Sequence, residues 1–133
     1  MIIGILYTPL LVREYQEAID FYCGILGFNL VENSKQEKKR WVRLQAPGLK
    51  GSDLLLSRAT NEKQLAAIGN QTGGRVLFFL HTDDFENDLE NKKKNNVEID
   101  EGPQNHEYSV VFKDLYGNRI DLIGPNVDLR KSN

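Results

Sequence analysis

The sequence predicts an α+β fold made of two tandem βαβββ modules that form a curved mixed sheet. Three observations predict it. The order strand, helix, strand, strand, strand runs twice along the chain. One copy slides over the other by 66 to 70 residues, laying Val12 on Thr82, Phe28 on Val97, Leu44 on Phe112 and Leu56 on Leu122. The 133 residues suit one domain, which at this size buries about two-thirds of the surface its unfolded chain exposes. The first module is expected at residues 1–59, a linker at 60–73, the second module at 74–125 and a loose tail at 126–133.

In the first module, "IIGILYTPLLV" is a strand-like apolar run. From Arg13 to Leu26, residues Tyr15, Ala18, Ile19, Tyr22 and Leu26 recur at three- and four-residue spacing, the pattern of one buried helix face, and Gly27 ends it. Three strands follow at "FNLVE", "RWVRLQA" and "DLLLSRA". The linker "RATNEKQLAAIGNQTGGR" reads as a short helix capped by Thr60 or Asn61, then a glycine-rich connector. Gly73 and Gly74 lead into Arg75 and Val76, so the connector lacks the lysine and hydroxyl of a phosphate-binding loop.

The second module starts with the strand "RVLFFLHT". Its helix is announced by "TDDFENDLENKKKNN", with Asp83 as cap, Glu86 three residues on, and Phe85 and Leu89 as a short apolar face. The strands "VEID", "YSVVFKD" and "RIDLIG" complete it. In the turn "DLYGN", Asp114 can accept from backbone two residues on, and Gly117 and Asn118 tolerate positive φ.

Side chains alternate along a strand. Val42, Leu44, Val110, Phe112, Ile120 and Leu122 therefore form an apolar face suited to packing under a helix. The opposite face carries Tyr7, Trp41, Arg43, Leu55, Leu77, Phe79, His81, Arg119 and Asp121, a mixture of aromatic and polar groups that suits a small-molecule ligand. Asp121 stands among Ile120, Leu122 and Ile123; it is a ligand or base if it faces a cavity, and the polar half of an alternating strand if it faces water.

Composition excludes several classes. Apolar residues make up 40% and charged residues 27%, an ordinary globular balance, and the net charge is −2. No attraction to phosphate backbones follows, and the runs Lys38–Arg40 and Lys92–Lys94, without interleaved aromatics, read as solvated surface, so no nucleic-acid partner is expected. No apolar run approaches the ~20 residues of a membrane span and no basic-then-apolar leader opens the chain, so no membrane partner and a cytoplasmic location are expected. The single cysteine, Cys23, excludes an intrachain disulfide and reads as a small, partly buried thiol. His106 reads as solvent-exposed.

The segments "VREYQEAIDFYCGILGF", "FFLHTDDF" and "FKDLYGNRIDLI", in this order and at these intervals, resemble the vicinal oxygen chelate superfamily of glyoxalases, bleomycin resistance proteins and extradiol dioxygenases. The resemblance spans residues 1–125 and implies that superfamily's fold. In its metal-dependent members each module supplies one ligand from its first strand and one from its last; carried over, these positions are Tyr7, Leu55, Leu77 and Asp121. Only Asp121 is an ordinary ligand, and a carboxylate with a neutral phenol falls short of the three or four donors such sites need. No metal or other cofactor is therefore expected, a divalent metal being the alternative. His81 could join another ligand set, although a lone strand histidine reads more simply as a hydrogen-bonded wall residue.

The resulting expectation is a glyoxalase-like small-molecule protein that binds a small organic anion in a concave cup. Arg43 and Arg119 would grip the anion, and Trp41, Phe79, Leu55 and Leu77 would form its apolar wall. Asp121, Tyr7 and His81 would carry any acid–base chemistry. A plainer reading has both arginines neutralised by Asp53, Asp121 or a partner chain. The alternatives are a metal-dependent lyase or dioxygenase resembling lactoylglutathione lyase, and a drug-sequestering resistance protein, which asks for acidic and aromatic walls. The resemblance also implies a homodimer.

Overall fold

The computed structural model describes residues 1–48, 50–103 and 108–124. The chain forms two compact units, Met1–Ile68 and Gly69–Asn133.

The first unit contains β1 (Tyr7–Val12), α1 (Tyr15–Tyr22), β2 (Asn29–Gln36), β3 (Lys39–Gln45), β4 (Asp53–Arg58) and α2 (Glu62–Ala67). Its sheet runs β1-β4-β3-β2, with β1 and β4 parallel and the other pairs antiparallel. Parallel neighbours need a long crossover, and here it is α1 with β2 and β3. The apolar stripe of α1 buries Ala18, Ile19 and Tyr22 above Leu10, Val12, Val42, Leu44, Leu54 and Leu56, all at or below 6% exposure. α1 stops at Tyr22, four residues short of the expected end at Leu26; past the intervening turns Gly27, at φ +81°, redirects the chain toward β2, and the Phe28 amide donates back to the Tyr22 carbonyl at 2.9 Å.

The second unit contains β5 (Phe78–His81), α3 (Phe85–Lys94), β6 (Ile99–Glu101), β7 (Ser109–Lys113) and β8 (Arg119–Ile123), in the sheet order β5-β8-β7-β6. Its pairings repeat those of the first unit: β5 runs parallel to β8, and β7 is antiparallel to both neighbours. Leu10 faces Leu56 as Leu80 faces Leu122, and Leu44 faces Leu54 as Phe112 faces Ile120. These equivalences reproduce the offset read from the sequence.

A β-bulge is repeated as well. Between Leu30 and Glu32 the register of β2 against β3 slips by one residue, and between Ile99 and Glu101 that of β6 against β7 does the same. Val31 and Asp100 are the extra residues, and such an insertion bends the strand and re-aims the side chains beside it.

Four local expectations are corrected. Residues 1–6 form no strand; the sheet begins at Tyr7, and among the described residues no strand pairs with the first five. The cap of α3 is Asp84, whose carboxylate accepts from the Asn87 amide at 3.3 Å, while Thr82 accepts from the Asp84 amide at 3.0 Å and donates to Asp88. Asn118 does not take positive φ; only Gly117 does, at +89°. Asn118 is instead buried, giving its side-chain amide to Asp114 Oδ2 at 2.9 Å while Asp114 Oδ1 accepts the Tyr116 and Asn118 amides. Lys92 is not solvated surface: it is 4% exposed, with Nζ 4.8 Å from the Phe112 ring centroid. Burial there pushes its pKa below the usual lysine value. His106 and the 126–133 tail lie outside the described residues.

Candidate functional site

In the first unit, strand alternation puts Tyr7, Leu55, Trp41 and Arg43 on the sheet face opposite α1. The register sets Tyr7 beside Asp53 on β4 and brings Leu55 between Pro9 and Arg43. Arg43 is the hub. Its Nε donates to Glu32 Oε1 and its Nη1 to Asp53 Oδ2, both at 2.6 Å. Its guanidinium also lies 5.4 Å from the Tyr7 ring centroid, and Tyr7 meets Trp41 at 6.4 Å with a 55° tilt. Gln45 donates to Asp53 Oδ1 at 3.2 Å and Ser34 to Glu32 Oε2 at 3.0 Å. The Arg43 hydrogen bond, helped by Ser34, holds the Glu32 carboxyl below its ordinary pKa. The bulge at Val31 is what sets Glu32 opposite Arg43.

In the second unit, Phe79, His81, Arg119 and Asp121 share one face, with Leu77 two residues before Phe79 and its amide bonded to the Arg119 carbonyl at 2.7 Å. Asp121 lies between Phe79 on β5 and Val111 on β7. Its Oδ1 accepts from Ser109 Oγ at 3.0 Å, and among the described residues no salt bridge reaches it. Phe79 is 63% exposed, a large aromatic surface beside a carboxylate. His81 is exposed at the end of β5, next to Ile123. Arg119 donates to Asp100 Oδ2 at 2.7 Å, Glu101 Oε1 at 2.9 Å and the Gly74 carbonyl at 3.3 Å.

The structure therefore groups Tyr7, Trp41, Arg43 and Leu55 within one unit, and Leu77, Phe79, His81, Arg119 and Asp121 within the other. Sequence reasoning missed Glu32, Asp100, Glu101 and Ser109. A period-two pattern assigns Asp100 and Glu101 to opposite faces, and only the bulge lets both reach Arg119.

The four positions at which the resemblance places metal ligands hold a phenol beneath a guanidinium, two leucines, and a carboxylate already hydrogen-bonded to Ser109. This donor set does not fit a divalent ion, which asks for three or more N, O or S donors from the protein.

The family profile of the Glyoxalase/Bleomycin resistance protein/Dioxygenase superfamily matches residues 4–122. The chain belongs to that superfamily. An uncharacterized protein of Shewanella frigidimarina (strain NCIMB 400) is 44% identical over 127 residues, 92% of this chain and 94% of that protein. Among solved structures, TnmS3, an antibiotic binding protein from Streptomyces sp. CB03234, is 26% identical with a TM-score of 0.73, covering 94% of this chain and 98% of its own. A glyoxalase/bleomycin resistance protein from the same Streptomyces is 25% identical with a TM-score of 0.68, covering 90% and 98%. No helix among the described residues is long and apolar enough to cross a membrane.

Proposed function

We propose that this superfamily member is a metal-independent small-molecule-binding protein whose ligand rests on the aromatic and polar face of the first unit's sheet, and that the ligand is an aromatic compound that is neutral or cationic. The observation that carries the reading is the state of the two arginines. Each is held by two carboxylates, Arg43 by Glu32 and Asp53, Arg119 by Asp100 and Glu101. One guanidinium against two carboxylates leaves each cluster with negative charge in excess, and within the second unit Asp121 adds another carboxylate. The small organic anion expected from two unpaired arginines would meet the wrong sign of charge, since a like-charge approach is penalised most where water is partly excluded. On the first unit's face Tyr7 and Trp41, 6.4 Å apart between ring centroids, offer ring faces, which attract cations as well as apolar rings. The 26% identity to an antibiotic binding protein supports a binding role for the chain. A metal-dependent lyase or dioxygenase finds no comparable support in the donor set.

Trp41 is the only tryptophan and lies on the candidate face, so its fluorescence reports occupancy there. A matched series of cationic, neutral and anionic aromatic compounds should quench it in that order of affinity, with and without chelator. The same compounds should raise the melting temperature, since a ligand at ~100 times its dissociation constant adds about 2.7 kcal/mol. Tightest binding by the anions, or binding abolished by chelation, would overturn the reading.

A further inference from the structure

The arginines of the two ion clusters are not held alike. Arg119 has each of its three nitrogens engaged by the chain: Nε donates to Asp100 Oδ2, Nη2 to Glu101 Oε1 and Nη1 to the Gly74 carbonyl. Arg43 donates through Nε to Glu32 and through Nη1 to Asp53, and among the described residues nothing accepts from its Nη2. A guanidinium carries five N–H donors in one rigid plane, so both hydrogens of that nitrogen stay available. The Arg43 side chain is 25% exposed, which leaves this edge open to solvent. The two carboxylates fix the plane from the other edges, so the free edge keeps its aim.

That edge lies beside the rings on which the proposed ligand rests. Arg43 and Trp41 are two residues apart on one face of β3, about 7 Å along the strand. Tyr7 reaches both, its ring centroid 5.4 Å from the Arg43 guanidinium carbon and 6.4 Å from the Trp41 centroid. A flat ring system resting on Tyr7 and Trp41 therefore has its rim within reach of Nη2.

We infer that Arg43 sets the specificity of this face by donating from Nη2 to a neutral acceptor on the rim of the ligand, in the simplest case a carbonyl oxygen. The inference rests on the reading of the first unit's face as the ligand site. Charge decides which acceptor suits the edge. An ionised carboxylate could accept from Nη2 but would also face Glu32 and Asp53, two negative charges against one positive; a neutral carbonyl takes the same hydrogen bond with no net charge to be repelled. Because the donor is charged, the bond is stronger than one between neutral groups, so it can discriminate between ligands.

The test uses the intact chain and two probes of matched shape, 1-indanone and indane, which differ by the ketone oxygen. Burial alone ranks indane first, since a carbonyl stripped of water without a partner is penalised. Equilibrium dialysis should instead show 1-indanone bound about tenfold more tightly. Arg43→Lys keeps a positive charge between Glu32 and Asp53 but lacks the planar fork; with a cooperative melt retained, it should lose the preference for the ketone and still bind indane. A reading that needs no variant is the carbonyl stretch of 1-indanone bound to the wild type, which should lie below its frequency in hexane. Equal binding of the two probes by the wild type, a stretch at the hexane frequency, or a preference that survives in Arg43→Lys would overturn the inference and leave the binding face standing. Binding of neither probe would overturn both together.

Discussion

The two units carry the same backbone device at the same place and hang different chemistry on it. Val31 in β2 and Asp100 in β6 are each the extra residue of a bulge, and the glutamate that follows, Glu32 or Glu101, pairs with an arginine. In the first unit that arginine is Arg43, directly opposite on β3. In the second the residue opposite Glu101 is Val111, and the arginine is Arg119 on β8, one strand further. The helices diverge in the same way. Tyr22 of α1 is fully buried, with its ring edge-on to Phe21 at 5.4 Å and Phe28 at 5.8 Å. Seventy residues on, Lys92 of α3 is buried over Phe112. Register and bulge are properties of the whole ladder, so a change there flips every side chain on a strand. A side chain on the ladder can change alone, provided its neighbours satisfy its charge or fill its volume.

Tyr22 and Lys92 occupy equivalent helix positions and should respond to truncation with opposite signs. Tyr22→Ala leaves a cavity under the first sheet and is expected to cost about 3–5 kcal/mol, the range for truncating a buried aromatic ring. That is a large part of a domain's ~5–15 kcal/mol. Urea titration should show the midpoint falling by the corresponding amount. A loss below ~1 kcal/mol would mean that Tyr22 is not the anchor of α1.

Lys92→Met is expected to act with the opposite sign, stabilising by about 1 kcal/mol at neutral pH, since replacing a buried charge with an apolar group of similar length is often neutral or favourable. The stem of Lys92 already packs as methionine would, and only the ammonium is lost. Because burial lowers the folded-state pKa of Lys92, the folded protein binds fewer protons than the unfolded chain between that pKa and the ordinary lysine value. The wild type therefore gains stability as pH rises through this window. The advantage of the methionine variant should be greatest near pH 7 and shrink toward pH 10. A pH-independent difference would show that the ammonium is hydrated in the folded state.

What the sequence made legible follows the same division. The offset, the strands Lys39–Gln45, Asp53–Arg58, Ser109–Lys113 and Arg119–Ile123, and the face assignments were readable, because a half-buried strand writes its pairing as alternation. β2 extends to Gln36 through Asn33, Ser34 and Lys35, which carry no apolar signal; the hairpin partner imposes that length. Residues 1–6 looked like strand because they are apolar, yet among the described residues only the Leu6 carbonyl, bonded to the Asp53 amide, touches the β4 ladder. Lys92 was hidden inside a lysine run, and nothing in composition distinguishes a lysine that snorkels from one that does not. The ion clusters were illegible for a geometric reason: a bulge breaks the parity on which face assignment depends.

The smallest expected effect separates the two bulge glutamates. Glu32 is tied to Arg43 with 32% of its side chain exposed, whereas Glu101 is tied to Arg119 with 66% exposed. More solvent means more screening and a weaker pair. Glu32→Gln should therefore lower the melting temperature more than Glu101→Gln does, and the gap should narrow in high salt. The Glu32 effect must also follow pH. Its folded-state pKa is held low by Arg43 and Ser34, so the stability it contributes is fully present above the ordinary glutamate value. It is lost as pH falls through the folded value. Wild type and Glu32→Gln should differ at pH 6–7 and converge in acid. If they differ equally at both, Glu32 acts by shape and not by charge.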